Sequence, residues 1–119
     1  MPIALAGLSF GAGANELVSL EWAADGSFAK EMTVAAGKFV EACGKLPAGV
    51  EVVWGFDAAA PMDFNIHYHV GKKLRFPATK KHVATANGIL NSKVEQDYCW
   101  MWTNKTPSEA VLRFSLGRR

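Results

Sequence analysis

The chain has little net charge. Lys and Arg total 13 and Asp and Glu total 11, leaving +2 over 119 residues. That balance gives no basis for a dedicated nucleic-acid binder. Cysteine is scarce. Cys43 and Cys99 are the only two, and they lack the close spacing of a zinc knuckle or a CxxC redox motif. They permit at most one internal disulfide. No apolar run approaches the ~20 residues that a membrane-spanning helix needs. There is no nucleophile elbow, no P-loop and no dinucleotide fingerprint, and the carboxylates are scattered. Helical periodicity, heptads, internal repeats and linkers are missing too. What remains is a globular balance of 50% hydrophobic and 20% charged residues, long enough for one domain with its own core.

The first residues need separate treatment. Ile3 to Phe10 is apolar, and Ala12-Gly13-Ala14 has the small-x-small form of a signal-peptidase site. No basic n-region precedes it, and the apolar run is short. Residues 1–16 therefore read either as the remnant of a secretion signal or as a first strand, with the domain at 17–119. An export signal places the protein in the periplasm or otherwise outside the cytoplasm; without one, the alternative is cytoplasmic.

From there the pattern alternates. Val18 to Trp22 reads as a strand, Asp25-Gly26 as a hairpin turn, and Ser27 to Val34 as an edge strand marked by Lys30. Phe39 to Cys43 favours strand over a helical turn, because β-branched and aromatic residues lie between two glycines. Val52, Trp54 and Phe56 alternate toward a core. Asp57 to Pro61 reads as a loop. Asp63 to Gly71 is a two-faced strand, with Phe64, Ile66 and Tyr68 on one side and Asn65, His67 and His69 on the other. A tight turn at Gly71-Lys72-Lys73 leads to Leu74 to Pro77. Ala78 to Ala86 shows no period, and Asn87-Gly88 reads as a turn. Gln96 to Asn104 is a second two-faced strand, expected to pair with the first. Leu112, Phe114 and Leu116 close the domain. The expectation is an all-β, single-domain antiparallel β-sandwich of about seven to nine strands, jelly-roll-like, with an aromatic core.

The order Val53-Trp54-Gly55-Phe56, Asp63-Phe64-Asn65-Ile66, Gly88, Tyr98 to Asn104 and Val111 to Ser115 resembles the Golgi-dynamics (GOLD) β-sandwich over residues 50 to 116. The resemblance implies a non-catalytic module that binds proteins or lipids. Trafficking members carry a membrane helix or coiled coil after the domain, which this chain does not show, and the family pattern does not require His67, His69, Cys99 or Met101. The arrangement is also similar to that of small bacterial proteins.

His67 and His69 lie two apart on a strand, so their Cα atoms are ~6.6 Å apart on one face. On the partner strand Cys99 and Met101 share a face. With the large aromatics inward, two imidazoles, a thiolate and a thioether meet, a soft set that suits copper. Two surface histidines need no function, however, and Cys and Met also pack as soft hydrophobes. No glutamate follows at the next cupin position, so a cupin centre is rejected. A thiol–imidazole pair of Cys99 with either histidine would make a small thiol-dependent enzyme.

Cys43, Trp54 and Cys99 fall in immunoglobulin order. Turning Cys99 inward would push Tyr98, Trp100 and Trp102 outward, which costs more than it gains, so no inter-sheet disulfide is expected. Lys72, Lys73, Arg75, Lys80 and Lys81 cluster on one hairpin. They either guard an edge against aggregation or meet an anionic surface.

The leading expectation is a non-enzymatic module that binds a ligand or partner through Asn65, His67, His69, Lys72 and Lys73. The alternative is copper on His67, His69, Cys99 and Met101, with no other cofactor implied. Partners are then a small ligand, a metal or a protein, with a membrane surface or a second copy of the chain as further options and nucleic acid excluded.

Overall fold

The computed structural model describes residues 13–119; of the expected export remnant or first strand at 1–16, residues 1–12 lie outside them. Seven strands follow in order: β1 (Glu16–Ser19), β2 (Ser27–Val34), β3 (Phe39–Leu46), β4 (Val50–Val70), β5 (Lys73–Ser92), β6 (Gln96–Thr103) and β7 (Ala110–Arg118). They form one sheet in the order β1-β3-β6-β4-β7-β2, with β5 along the other side of β4. Every pairing is antiparallel except β1 with β3. Lys30 does lie on an edge strand, β2.

Two long strands make this one sheet into two layers. The first half of β4 pairs with β7 from Val52 to Ala58, and its second half pairs with β6 from Asp63 to His67. One edge of β4 therefore serves two different neighbours, and the strand must bend between them. The bend falls at Ala58 to Pro61, where the β4–β5 register slips between Asp57 and Met62. A straight strand would hold Trp54 and Phe64 ~33 Å apart. Their ring centroids are 4.8 Å apart instead. The sheet has curled onto itself, and its concave side is the core.

The expected loop at 57–61 is thus a strand corner, and the patternless stretch 78–86 is strand as well. Poor β-formers and a proline hid the first; a bulge lets the strand bend there without ending. The second has no alternation because it lines the outside of the sheet, exposed on most positions. The bend in β5 is held by Asp63, whose carboxylate accepts from the His82 N–H at 2.9 Å. His82 takes a left-handed conformation, with φ 53°, in the bulge between Lys80 and Val83.

Asn87-Gly88 is not a turn either. Gly88 sits inside β5 opposite Trp54. A Cβ there would lie 2.8 Å from the Trp54 ring, so the glycine makes room for the indole. Asp25-Gly26 does turn the chain, with Gly26 at φ 85°, but it sends β1 and β2 to opposite edges instead of pairing them.

The aromatic core is as expected. Trp54, Phe56, Phe64, Ile66, Tyr98, Trp100, Trp102 and Phe114 are buried, and Tyr68 is half-buried. Trp102 stacks on Phe114 at 4.5 Å and meets Phe64 at 5.4 Å. Asn104 is the buried polar anchor. Its Nδ2 donates to the carbonyls of Val34 and Ser108, and its Oδ1 accepts from the Thr106 N–H and hydroxyl. All of its side-chain capacity is used, which is what burial of an amide requires.

Candidate functional site

The outer face of the first layer is built row by row across β3, β6 and β4. Cys43 faces Cys99, and Cys99 faces His67. In the next row Glu41 faces Met101, and Met101 faces Asn65. The same alternation that sends Trp100 and Trp102 inward sends these residues out.

Cys43 and Cys99 are joined in a disulfide, with Cα atoms 4.1 Å apart. No disulfide between the layers was expected and none forms, but a link within one layer was not considered. A link between layers needs Cys99 to point inward. The cysteines are instead neighbours in one layer, so the bridge forms on the outer face and no aromatic has to leave the core.

His67 was expected on the exposed face, and this too is corrected. It faces out from the core but is only 5% exposed. Neighbouring side chains cover it. Glu41 reaches across β6 to place Oε2 2.8 Å from Nε2, Asn65 Oδ1 is 2.7 Å from Nδ1, and the Phe76 ring stands 6.1 Å away. Burial pushes the His67 pKa below its ordinary value; the Glu41 carboxylate pulls the other way, and His69 adds to the lowering.

The expected metal set of His67, His69, Cys99 and Met101 does share one face. His69 is exposed, its ring 5.6 Å from that of His67. The bridge occupies Cys99, however, and no free cysteine remains among the described residues. With the disulfide closed there is no thiolate for copper and no thiol for a thiol-dependent enzyme. Beside Cys99 stand Glu41, which sequence reasoning did not single out, and Cys43, which it weighed only for a disulfide through the core. The ligand atoms of Glu41, Cys43 and Cys99 all lie within 4.8 Å of one another.

Of the expected ligand-binding residues, Asn65 and His67 are tied up inside this cluster, whereas His69, Lys72 and Lys73 are exposed. Those three belong to a different feature. Pairing with β6 ends at His67, but the β4–β5 hairpin runs on through Val70 and Lys73. Residues 69–77 are exposed without exception. They carry Val70, Leu74 and Phe76, exposed to 45%, 42% and 53%, among Lys72, Lys73 and Arg75. Among the described residues no ion pair engages those three cations. Lys81 is different: with Lys105 it neighbours Asp63, at 4.0 and 3.0 Å. That pairing and the His82 N–H hold the Asp63 carboxyl below its usual range.

No family model matches this chain, the Golgi-dynamics model included, and no curated protein matches its sequence. Solved structures do. PliG from Aeromonas hydrophila, a periplasmic inhibitor of g-type lysozyme, superposes with a TM-score of 0.68 at 9% identity, covering 90% of this chain and all of that one. PliG from Salmonella Typhimurium gives 0.59 at 8% identity, over 87% and 98%. The pre-peptidase C-terminal domain of a Bacillus anthracis collagenase gives 0.55 at 9% identity, over 90% and 95%. At such identities the shared property is the fold, a small β-domain.

A shallow groove of about 590 Å³ crosses the outer face of the second layer, over Ala29, Gly55, Ser115 and Asn87. Arg113 borders it, bound to Glu31 at 3.0 Å and Asp57 at 3.3 Å. Both pairs are exposed and contribute little to stability.

Proposed function

We propose that this protein is a non-enzymatic protein-binding module that works outside the cytoplasm and docks through the tip of its β4–β5 hairpin. The observation that carries the reading is the tip itself. Three large apolar side chains stand exposed beside three cations that no ion pair engages among the described residues, on a hairpin that extends past its last β6 neighbour. An exposed apolar group rimmed by charge marks an interaction site. Its shape is convex and its charge positive, so the partner it fits has a cleft lined by carboxylates. Glycoside hydrolases have such clefts, with two carboxyl groups flanking the scissile bond. The fold shared with lysozyme inhibitors supports the same partner class, and g-type lysozyme is the first to test. The disulfide supports an oxidising compartment.

The test is titration calorimetry with g-type lysozyme at low and high salt, alongside its lytic activity. Binding that weakens with salt and is lost in the triple variant Lys72→Glu, Lys73→Glu, Arg75→Glu is expected. Absence of both binding and inhibition at low salt would overturn lysozyme as the partner. Binding that survives the triple charge reversal would overturn the hairpin as the docking element.

A further inference from the structure

We propose that Cys43, Cys99, His67 and Glu41 form a redox-gated zinc site, shut while the disulfide stands and opened by its reduction. The inference is independent of the partner-binding reading and uses none of the hairpin-tip residues.

Three ligands come from one row across three adjacent strands. Cys43, Cys99 and His67 are consecutive cross-strand neighbours on the same face, and such neighbours hold their Cβ atoms about 5 Å apart. The fourth ligand lies over the row. The Glu41 carboxylate is within 4.8 Å of both sulfurs and 2.8 Å from His67 Nε2. Zinc binds thiolate sulfur at about 2.3 Å and imidazole nitrogen or carboxylate oxygen at about 2.0–2.2 Å in tetrahedral array. Ligand atoms of such a site stand roughly 3.3–3.8 Å apart by that geometry. The sulfurs must separate from bonded to non-bonded distance, and the carboxylate must close in slightly. The His67 ring, which stands outside the 4.8 Å group of Glu41, Cys43 and Cys99, must swing toward the sulfurs.

Asn65 Oδ1 lies 2.7 Å from the His67 Nδ1; the tautomer with its proton on Nδ1 donates there and turns the Nε2 lone pair toward the carboxylate. In that tautomer the two facing acceptors need a cation between them, either a proton or a metal. Hydrogen bonding of the remote ring nitrogen is the usual support for a histidine ligand. The donor set is two thiolates, one imidazole and one carboxylate. It suits zinc better than the copper set of histidines, Cys99 and Met101, because the hard oxygen and the paired thiolates fit a borderline ion.

The step balances. A dithiol reductant reduces the Cys43–Cys99 bond to two thiols and is itself oxidised to a disulfide. Zinc then displaces the two thiol protons to solvent. Reoxidation by a disulfide oxidant, itself reduced to two thiols with uptake of two protons, re-forms the bond and expels the ion.

The experiment compares the full chain oxidised with the chain reduced by a phosphine, which is converted to its oxide, and then freed of reductant under anaerobic conditions. Cobalt(II) is titrated as a spectroscopic stand-in and competed with zinc, while circular dichroism follows the sheet. The reduced protein is expected to take up one equivalent with a thiolate-to-cobalt charge-transfer band, and the oxidised protein none. His67→Asn and Glu41→Gln should each weaken binding about 10- to 100-fold, and the double Cys43→Ser, Cys99→Ser variant should abolish the band. Unchanged affinity in both His67→Asn and Glu41→Gln would overturn the proposal, since thiols in a loosened chain would bind without them. Loss of the sheet signal on reduction, not restored by metal, would overturn it as well, as would equal uptake by the oxidised chain.

Discussion

His67 and Glu41 sit on strands that are not neighbours, yet Nε2 and Oε2 are 2.8 Å apart, with β6 and the Cys43–Cys99 bridge running beneath the contact. Glutamate is long enough to span the intervening strand, and the small disulfide leaves it room. His67 is buried, so its protonation is tied to folding.

The direction of that linkage follows from the lowered His67 pKa. In the unfolded chain His67 titrates near its ordinary value of 6.5; in the fold, burial holds protonation to lower pH. The stability this contributes is fully present above pH 6.5 and is lost as pH falls through the folded value. Denaturant midpoints should therefore fall between pH 7.5 and pH 5, by more in the wild type than in His67→Gln. An equal fall in both proteins would show that other groups carry the acid sensitivity.

The disulfide closes a loop of 56 residues. Loop-entropy reasoning puts its contribution at about 4 kcal/mol, an upper figure because native strain and residual structure reduce it. Urea titrations of the oxidised and phosphine-reduced chains should show the reduced midpoint lower with a similar slope. If zinc occupies the reduced site, adding it should raise that midpoint again, whereas it should leave the oxidised protein unchanged.

The β4–β6 pairing could be read from the sequence because both strands keep a strict alternation with large aromatics at every second position. That alternation also placed Cys99 and Met101 beside the histidines correctly. What could not be read was the layer geometry. A bend inside a 21-residue strand has no alternation to mark it, and Asp57 to Pro61 has the composition of a loop. The disulfide was missed for the same reason. Immunoglobulin spacing suggests a link through the core, and nothing local says that β3 lies next to β6. His67 was assigned to the correct face, but its burial depends on Glu41, remote in sequence, and on Phe76, which folds back across the hairpin turn.

Gly88 gives a direct test of the curled core. A Cβ at this position meets Trp54 at 2.8 Å, against a ring packed on Phe64 at 4.8 Å. Gly88→Ala should destabilise by about 1–3 kcal/mol through overpacking, despite the higher strand propensity of alanine. Had Asn87-Gly88 been a turn, the cost would instead track a positive φ, and Gly88 has none. Combining Gly88→Ala with Trp54→Phe, which removes part of the ring, should recover stability relative to the sum of the single changes, as a double-mutant cycle would measure.

Asn104 should be the least replaceable polar residue outside the candidate sites. It joins the end of β2 to the β6–β7 loop through Val34, Thr106 and Ser108, and its backbone pairs with Gly37 and Lys38 in the β2–β3 turn. Asn104→Ala strands the buried Val34 carbonyl and the part-buried Ser108 carbonyl and Thr106 N–H, at about 1–3 kcal/mol for each that no water reaches, so a loss near 3 kcal/mol is expected in thermal or urea unfolding. Asn104→Asp should be worse. It keeps the acceptor for Thr106 but turns a carboxylate oxygen toward the carbonyls of Val34 and Ser108, where the amide had been the donor.

The hairpin tip should behave in the opposite way. Residues 69–77 are exposed and receive no support from β6, so changes there touch little of the fold. Leu74→Ala and Lys73→Glu should each shift stability by no more than about 0.5 kcal/mol. Their effect should appear in association instead. Val70→Ser and Leu74→Ser together remove exposed apolar surface and should lower partner affinity severalfold, with most of the change in the dissociation rate. Lys72→Glu and Lys73→Glu should slow association and flatten its salt dependence, because their charges steer the encounter. Surface plasmon resonance at several salt concentrations separates the two effects. Apolar and charge variants that alter the same rate constant by the same factor would show that the tip acts through shape alone.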